Sequence, residues 1–323
     1  MSIVERALQK AQLKGRQEPT AAATESAAAL GSDAEAGGAL ANSPPGDGYS
    51  AKPVADPDSV RDDAASLTSR DLKAIVHVDE DRLRDEGRLA SVEMTRQIEE
   101  EMRRIKWPVL NAIEGREGSQ AARNNVVLVT SAVPGEGKTF TSLNLALSIV
   151  RDRESRVVLI DGDVARPGLT PALGLEGRPG LNDVLDDTNL DVSSVTYQTD
   201  VPGLFFVPSG RWHQQSPEFF SGSHMAKLID ELSRRVGNGV IIFDSPPLLA
   251  TNDAQALTRY AGQVLLVVRS DDTEQQAVLD ALALVDKSAL VHAVLNRVSP
   301  SMISRYYGQY YYGYGYGAER ADK

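Results

Sequence analysis

Val126-Val127-Leu128-Val129-Thr130-Ser131-Ala132-Val133-Pro134-Gly135-Glu136-Gly137-Lys138-Thr139 is the stretch on which the fold turns. Branched apolar residues run to Val129, turn-forming residues follow, and Thr139–Val150 carries apolar positions at helical spacing. This reads as buried strand, loop and helix. Glycines in such a loop let backbone N–H groups turn inward around phosphate oxygens, and the helix N-terminus adds a favourable dipole. Pro134, Gly135, Glu136, Gly137, Lys138, Thr139 and Phe140 are therefore the expected nucleotide-binding residues. Lys138 would reach the outer phosphates, and the Thr139 hydroxyl would ligate Mg²⁺. The first position of the usual pattern is Ala132 rather than glycine, so the strict motif fails by one residue.

Outward from the loop, two further buried strands end in carboxylates. Val157–Ile160 runs into Asp161-Gly162-Asp163-Val164-Ala165-Arg166-Pro167, and Val240–Phe243 into Asp244-Ser245-Pro246-Pro247. Ligands in open α/β sheets bind at such C-terminal strand ends. Asp244 suits a metal-side role, and Asp161 and Asp163 could hold metal-bound water or accept a proton. Leu204–Val207, Val264–Val268 and Val291–Leu295 complete the strand set, with helices at Met225–Val236 and Thr273–Val285 among them. The alternation predicts an α/β, P-loop NTPase fold: a mostly parallel sheet with helices on both faces.

Composition narrows the rest. The chain has 323 residues, room for one or two domains at roughly 150 residues each. The net charge of −11 argues against nucleic-acid binding through a broad basic surface. The absence of cysteine removes disulfides, thiolate metal sites and cysteine nucleophiles. No apolar run approaches the ~18 residues of a membrane span, and the N-terminus lacks the apolar core of a signal peptide. Before Trp107 the only aromatic residue is Tyr49, and residues 17–70 are rich in Ala, Gly, Pro, Ser and Asp. Such a segment buries too little apolar surface to offset its chain entropy. Order is expected to begin between Ala74 and Glu93. The expected organisation is a short amphipathic helix over 1–14, a disordered linker over 15–85, a P-loop domain over 86–300 and a flexible tail over 301–323.

With these residues in view, the chain resembles the bacterial tyrosine kinases among the deviant P-loop ATPases, over about residues 93–316. Asp161-x-Asp163-x-x-Arg166-Pro167 resembles the group's second Walker A-like element, with the arginine one position late. Ser209-Gly210 with Pro217-Glu218-Phe219-Phe220-Ser221, Asp244-Ser245-Pro246-Pro247, and Val267-Val268-Arg269 with Thr273 resemble further family segments. Glu100-x-x-Arg103-x-x-Lys106 resembles a ring-forming motif, with lysine in place of the last arginine. The opening Ser2–Leu8 and the string Glu99–Pro108 are most similar to the exosortase-associated autokinases of exopolysaccharide synthesis. Chromosome- and division-site-positioning ATPases carry a second lysine near the start of the loop, where this chain has Val133.

The resemblance implies ATP and Mg²⁺ as cofactors, with Thr139, Asp161 and Asp244 at the metal and Asn296 near the adenine. Lys138, Asp161, Asp163 and Asp244 would be the catalytic set, either Asp161 or Asp163 serving as base. The implied substrate is the tail, where Tyr306, Tyr307, Tyr310, Tyr311, Tyr312, Tyr314 and Tyr316 fall within 11 residues. The implied partners are further copies in a ring joined through Glu100, Arg103 and Lys106, a membrane chain-length-determinant protein, and a tyrosine phosphatase. The implied location is the inner face of the plasma membrane, reached through that partner. The rival expectation is a positioning ATPase of the same fold without kinase activity.

Overall fold

The computed structural model describes residues 73–115, 123–152, 155–187, 189–212, 219–220 and 222–299. The expected N-terminal helix, most of the linker, and the tyrosine-rich tail lie outside these residues.

Eight strands form one sheet in the order β1-β4-β5-β3-β6-β2-β7-β8. They are β1 (Lys73–Val76), β2 (Val126–Ser131), β3 (Val157–Asp161), β4 (Tyr197–Thr199), β5 (Leu204–Val207), β6 (Val240–Asp244), β7 (Gln263–Arg269) and β8 (Leu290–Asn296). Every pairing is parallel except β4 with β5. The α helices are α1 (Glu80–Asp85), α2 (Thr95–Glu114), α3 (Lys138–Asp152), α4 (Leu169–Ala172), α5 (Leu181–Asp186), α6 (Ser223–Val236), α7 (Asn252–Thr258) and α8 (Gln275–Ala283).

Alternate side chains of the central strands enter two separate cores. Val126, Leu128, Val158, Ile160, Ile241 and Phe243 face Met225, Leu228, Ile229 and Leu232 of α6. Val127, Val129, Val157, Leu159, Val240 and Ile242 face Leu143, Ala146 and Leu147 of α3 and Met102 and Val109 of α2. Both faces are thus covered, which is why these strands read as continuous apolar runs rather than as alternation.

The sheet starts earlier in the chain than the expected boundary at residue 86. β1 pairs with β4, and α1 places Leu83, fully buried, in the α3-side core. The linker reading therefore fails over residues 73–85. β1 is too short and β4 too mixed to show a strand pattern, and their pairing is fixed by tertiary contact.

Candidate active site

The loop between β2 and α3 holds Gly135 and Gly137 at φ +84° and +98°, conformations open to glycine. Gly137 meets a second constraint: a Cβ there would lie 2.0 Å from Nδ2 of Asn296. That amide nitrogen donates to the Glu136 carbonyl at 2.8 Å, while Asn296 Oδ1 accepts from the Arg297 N–H at 2.9 Å. The last residue of β8 is therefore clamped onto the loop.

Glu136 turns inward. Its side chain is buried, with Oε2 accepting from the Val133 N–H at 2.8 Å. Oε1 accepts from the Arg269 N–H at 3.2 Å and from the Thr273 hydroxyl. Its carboxylate braces the loop from behind, so of Glu136 only the backbone remains for a nucleotide. The Val267-Val268-Arg269…Thr273 segment has its physical reason here: it supplies two of the donors that hold this carboxylate.

Lys138 and Thr139 open α3, where the helix dipole favours anions. With Gly135, Gly137 and Phe140 they line a groove of about 350 Å³ that also touches Gly87, Arg88 and Arg297. Pro134 sits exposed at the tip of the loop.

Asp161 and Asp244 end β3 and β6 and are direct cross-strand neighbours. Both are buried. Asp161 Oδ2 accepts from the Leu169 N–H (3.0 Å), the Thr170 N–H (2.7 Å) and the Thr170 hydroxyl (2.8 Å). Asp161 Oδ1 has no hydrogen-bond partner among the described residues. Asp244 Oδ1 accepts from the Ser142 hydroxyl at 3.1 Å. Burial pushes Asp161 up to about 6, against the pull of the Thr170 hydrogen bonds. Burial and the charge of Asp161 push Asp244 up to about 7, opposed by Lys138 and by hydrogen bonds from Thr139 and Ser142. Asp163 is half-buried and raised by burial, with Oδ1 accepting from the Arg166 N–H at 3.0 Å.

Two adjacent buried carboxylates, one with an oxygen left without a donor, suit a divalent cation. Among the described residues no three His, Cys, Asp or Glu side chains gather into a self-sufficient metal cage. Two carboxylates and the Thr139 hydroxyl fit Mg²⁺, which keeps waters and takes phosphate oxygens as further ligands.

No family model matches the chain. It is 34% identical over 183 residues to the tyrosine-protein kinase YwqD of Bacillus subtilis, a match covering 56% of this chain and 75% of YwqD. The chain belongs to the tyrosine-protein kinase family. It is also 30% identical over 193 residues to the tyrosine-protein kinase Wzc of Salmonella typhimurium, covering 60% of this chain and 26% of Wzc. It thus spans about a quarter of the length of such larger curated relatives. Among solved structures, the VpsO kinase domain is similar with a TM-score of 0.53 and 27% identity, covering 65% of this chain and 100% of that domain. The tyrosine kinase domain of BceF shares the fold with a TM-score of 0.55 at 24% identity, covering 69% of this chain and 92% of that one.

Within this family member the loop, Lys138, Thr139, Asp161, Asp163 and Asp244 converge at the C-terminal ends of β2, β3 and β6, as their spacing suggested. Asn296 also reaches the loop, with its amide engaged by the Glu136 carbonyl and by Arg297. The ring motif divides. Glu100 and Arg103 are exposed on α2, but Lys106 is buried and donates from Nζ to the Ser148 carbonyl of α3 at 3.0 Å. A buried lysine engaged within its own chain is not a surface contact, so Lys106 packs α2 against α3. The tyrosines Tyr306–Tyr316, and Pro217, Glu218 and Ser221 of the quoted segment, lie outside the described residues. Sequence reading missed Ser142, which is legible afterwards as the residue one turn beyond Thr139, and Arg88 and Arg297, which carry no local signal.

Proposed function

We propose that the chain is an ATP-dependent protein-tyrosine autokinase whose substrate is its own tyrosine cluster. The Asp161–Asp244 pair beside Lys138 and Thr139 carries the reading, because it is a site for the metal complex of a nucleoside triphosphate. The exit of the chain supports the choice of substrate. β8 ends against the loop at Asn296, and Arg297 lines the same groove. From Ser299 to Tyr306 is seven residues, at most roughly 25 Å of extended chain. The first tyrosine is therefore within reach of the groove that Arg297 lines.

The loop amides and Lys138 would hold the phosphates, and Thr139, Asp161 and Asp244 would hold Mg²⁺. The ion would neutralise phosphate charge and help align the transferred group. A tail phenol oxygen bonds to the γ-phosphorus, the bond from that phosphorus to the β–γ bridging oxygen breaks, and ADP leaves. The phenol proton passes to a carboxylate. Asp163 is the better acceptor: it is half-exposed and raised by burial, whereas Asp161 is enclosed with one oxygen holding three donors.

The regulatory reading follows from the family. The chain works with exopolysaccharide or capsule assembly, in a homo-oligomer joined through the α2 face bearing Glu100 and Arg103, with phosphorylation between subunits. A membrane chain-length-determinant partner would bring it to the bilayer; no described helix is long and apolar enough to cross a membrane. A tyrosine phosphatase would reset it. Phosphates at about −1.5 to −2 charges each on an already acidic chain would loosen the oligomer.

Truncation after Pro300 tests the substrate assignment. ADP release in Mg-ATP should fall to background without the tail. Turnover that survives the truncation, with no phosphotyrosine on the full chain, would assign the site to plain ATP hydrolysis instead.

A further inference from the structure

Arg88 belongs to no motif and lies 50 residues before Lys138. It nevertheless lines the nucleotide groove beside Lys138 and Thr139. A Cβ built on Gly168 would meet Arg88 Nη1 at 3.3 Å and Thr139 Oγ1 at 3.0 Å. The guanidinium and the metal-side hydroxyl therefore flank one point, at the place where Arg166-Pro167-Gly168 closes onto the start of α3. Among the described residues the Arg88 guanidinium has no ion-pair partner, whereas Arg82 and Arg84 of the same segment are paired with Glu86 and Glu80.

The turn that carries Arg88 is fixed. Gly87 takes φ +67°, and the N–H groups of Arg88 and Leu89 donate to the Leu83 carbonyl at 2.7 and 3.0 Å. Leu83 and Leu89 are buried on either side. Asn144 of α3 donates from Nδ2 both to the Arg88 carbonyl (3.0 Å) and to the Phe140 carbonyl (2.7 Å). One amide thus ties the turn to the helix that begins with Lys138 and Thr139.

We infer that Arg88 is a phosphate-contacting residue of the active site, contributed by the segment that precedes the P-loop core. Its ligand is the polyphosphate of a nucleoside di- or triphosphate, for which a guanidinium fork is well matched in charge and geometry. The inference rests on the nucleotide-site reading, and its main readout is independent of kinase activity.

The experiment measures affinity of the full chain for a fluorescent ATP analogue with Mg²⁺, alongside autophosphorylation and thermal unfolding, for wild type, Arg88→Gln and Arg88→Lys. Arg88→Gln should weaken nucleotide binding about tenfold or more, as expected for loss of a charge-assisted hydrogen bond, with an unchanged melting temperature. Arg88→Lys should bind between the two, because it keeps the charge but loses the fork. Affinity of Arg88→Gln within threefold of wild type would overturn the proposal. A weakened affinity accompanied by a lowered melting temperature in both variants would overturn it too, in favour of a packing role. A wild-type chain that binds nucleotide but forms no phosphotyrosine would count against the kinase reading alone and leave the Arg88 comparison intact.

Discussion

Asp161 and Asp244 are buried side by side, and each titrates above the ordinary carboxylate value near 4. In the folded chain they hold protons that the unfolded chain has already released. Their contribution to stability is therefore full below about pH 4 and is lost as pH rises through about 6 and about 7. The melting temperature of the metal-free chain should fall between pH 5 and pH 8, and Mg-nucleotide should restore more of it at pH 8. Thermal scans at the two pH values check this, and a metal-free chain more stable at pH 8 would refute it. Asp244→Asn removes one of the facing charges while keeping an acceptor for Ser142. It should abolish phosphoryl transfer, flatten that pH slope, and raise the pH 8 melting temperature by about 2–4 °C, the shift expected for roughly 1 kcal/mol in a domain of this size. The carboxylates themselves were legible, because Asp after a buried apolar run is a local signal. Their direct pairing was not, since it depends on β3 and β6 being neighbours although β4 and β5 lie between them in sequence.

At the scale of elements, α3 organises the site from both of its sides. Lys138 and Thr139 line the groove and Ser142 donates to Asp244, while Asn144 holds the turn that presents Arg88. Asn144→Ala leaves the Arg88 and Phe140 carbonyls without this donor, which should cost about 1–3 kcal/mol. Because the turn is released, nucleotide affinity should fall with it, as a titration would show. Unchanged affinity would mean that the turn is positioned by Leu83 and Leu89 alone. The P-loop and its strand and helix were readable because their chemistry is contiguous. The inward turn of the Glu136 side chain was not legible for the opposite reason: the donors that hold it, Arg269 and Thr273, come from more than 130 positions away. Lys106 was misassigned likewise, because a lysine among charged residues reads as exposed until α3 covers it.

On the whole-molecule scale, the pre-core segment is part of the domain. β1 extends the sheet through β4, Leu83 fills the α3-side core, and Arg88 enters the groove. A chain starting at residue 86 should therefore be less stable than one starting at residue 73. Loss of a buried leucine alone costs about 2–5 kcal/mol. Equal melting temperatures for the two truncations would show that the domain begins at residue 86. The strongest test of the account is phosphosite mapping by mass spectrometry on the full chain incubated with Mg-ATP, beside Lys138→Met. The account predicts several phosphates confined to Tyr306–Tyr316 in the wild type and none in the variant. Phosphate on the Lys138→Met chain, or a wild-type chain that consumes ATP while its tyrosines stay unmodified, would contradict it.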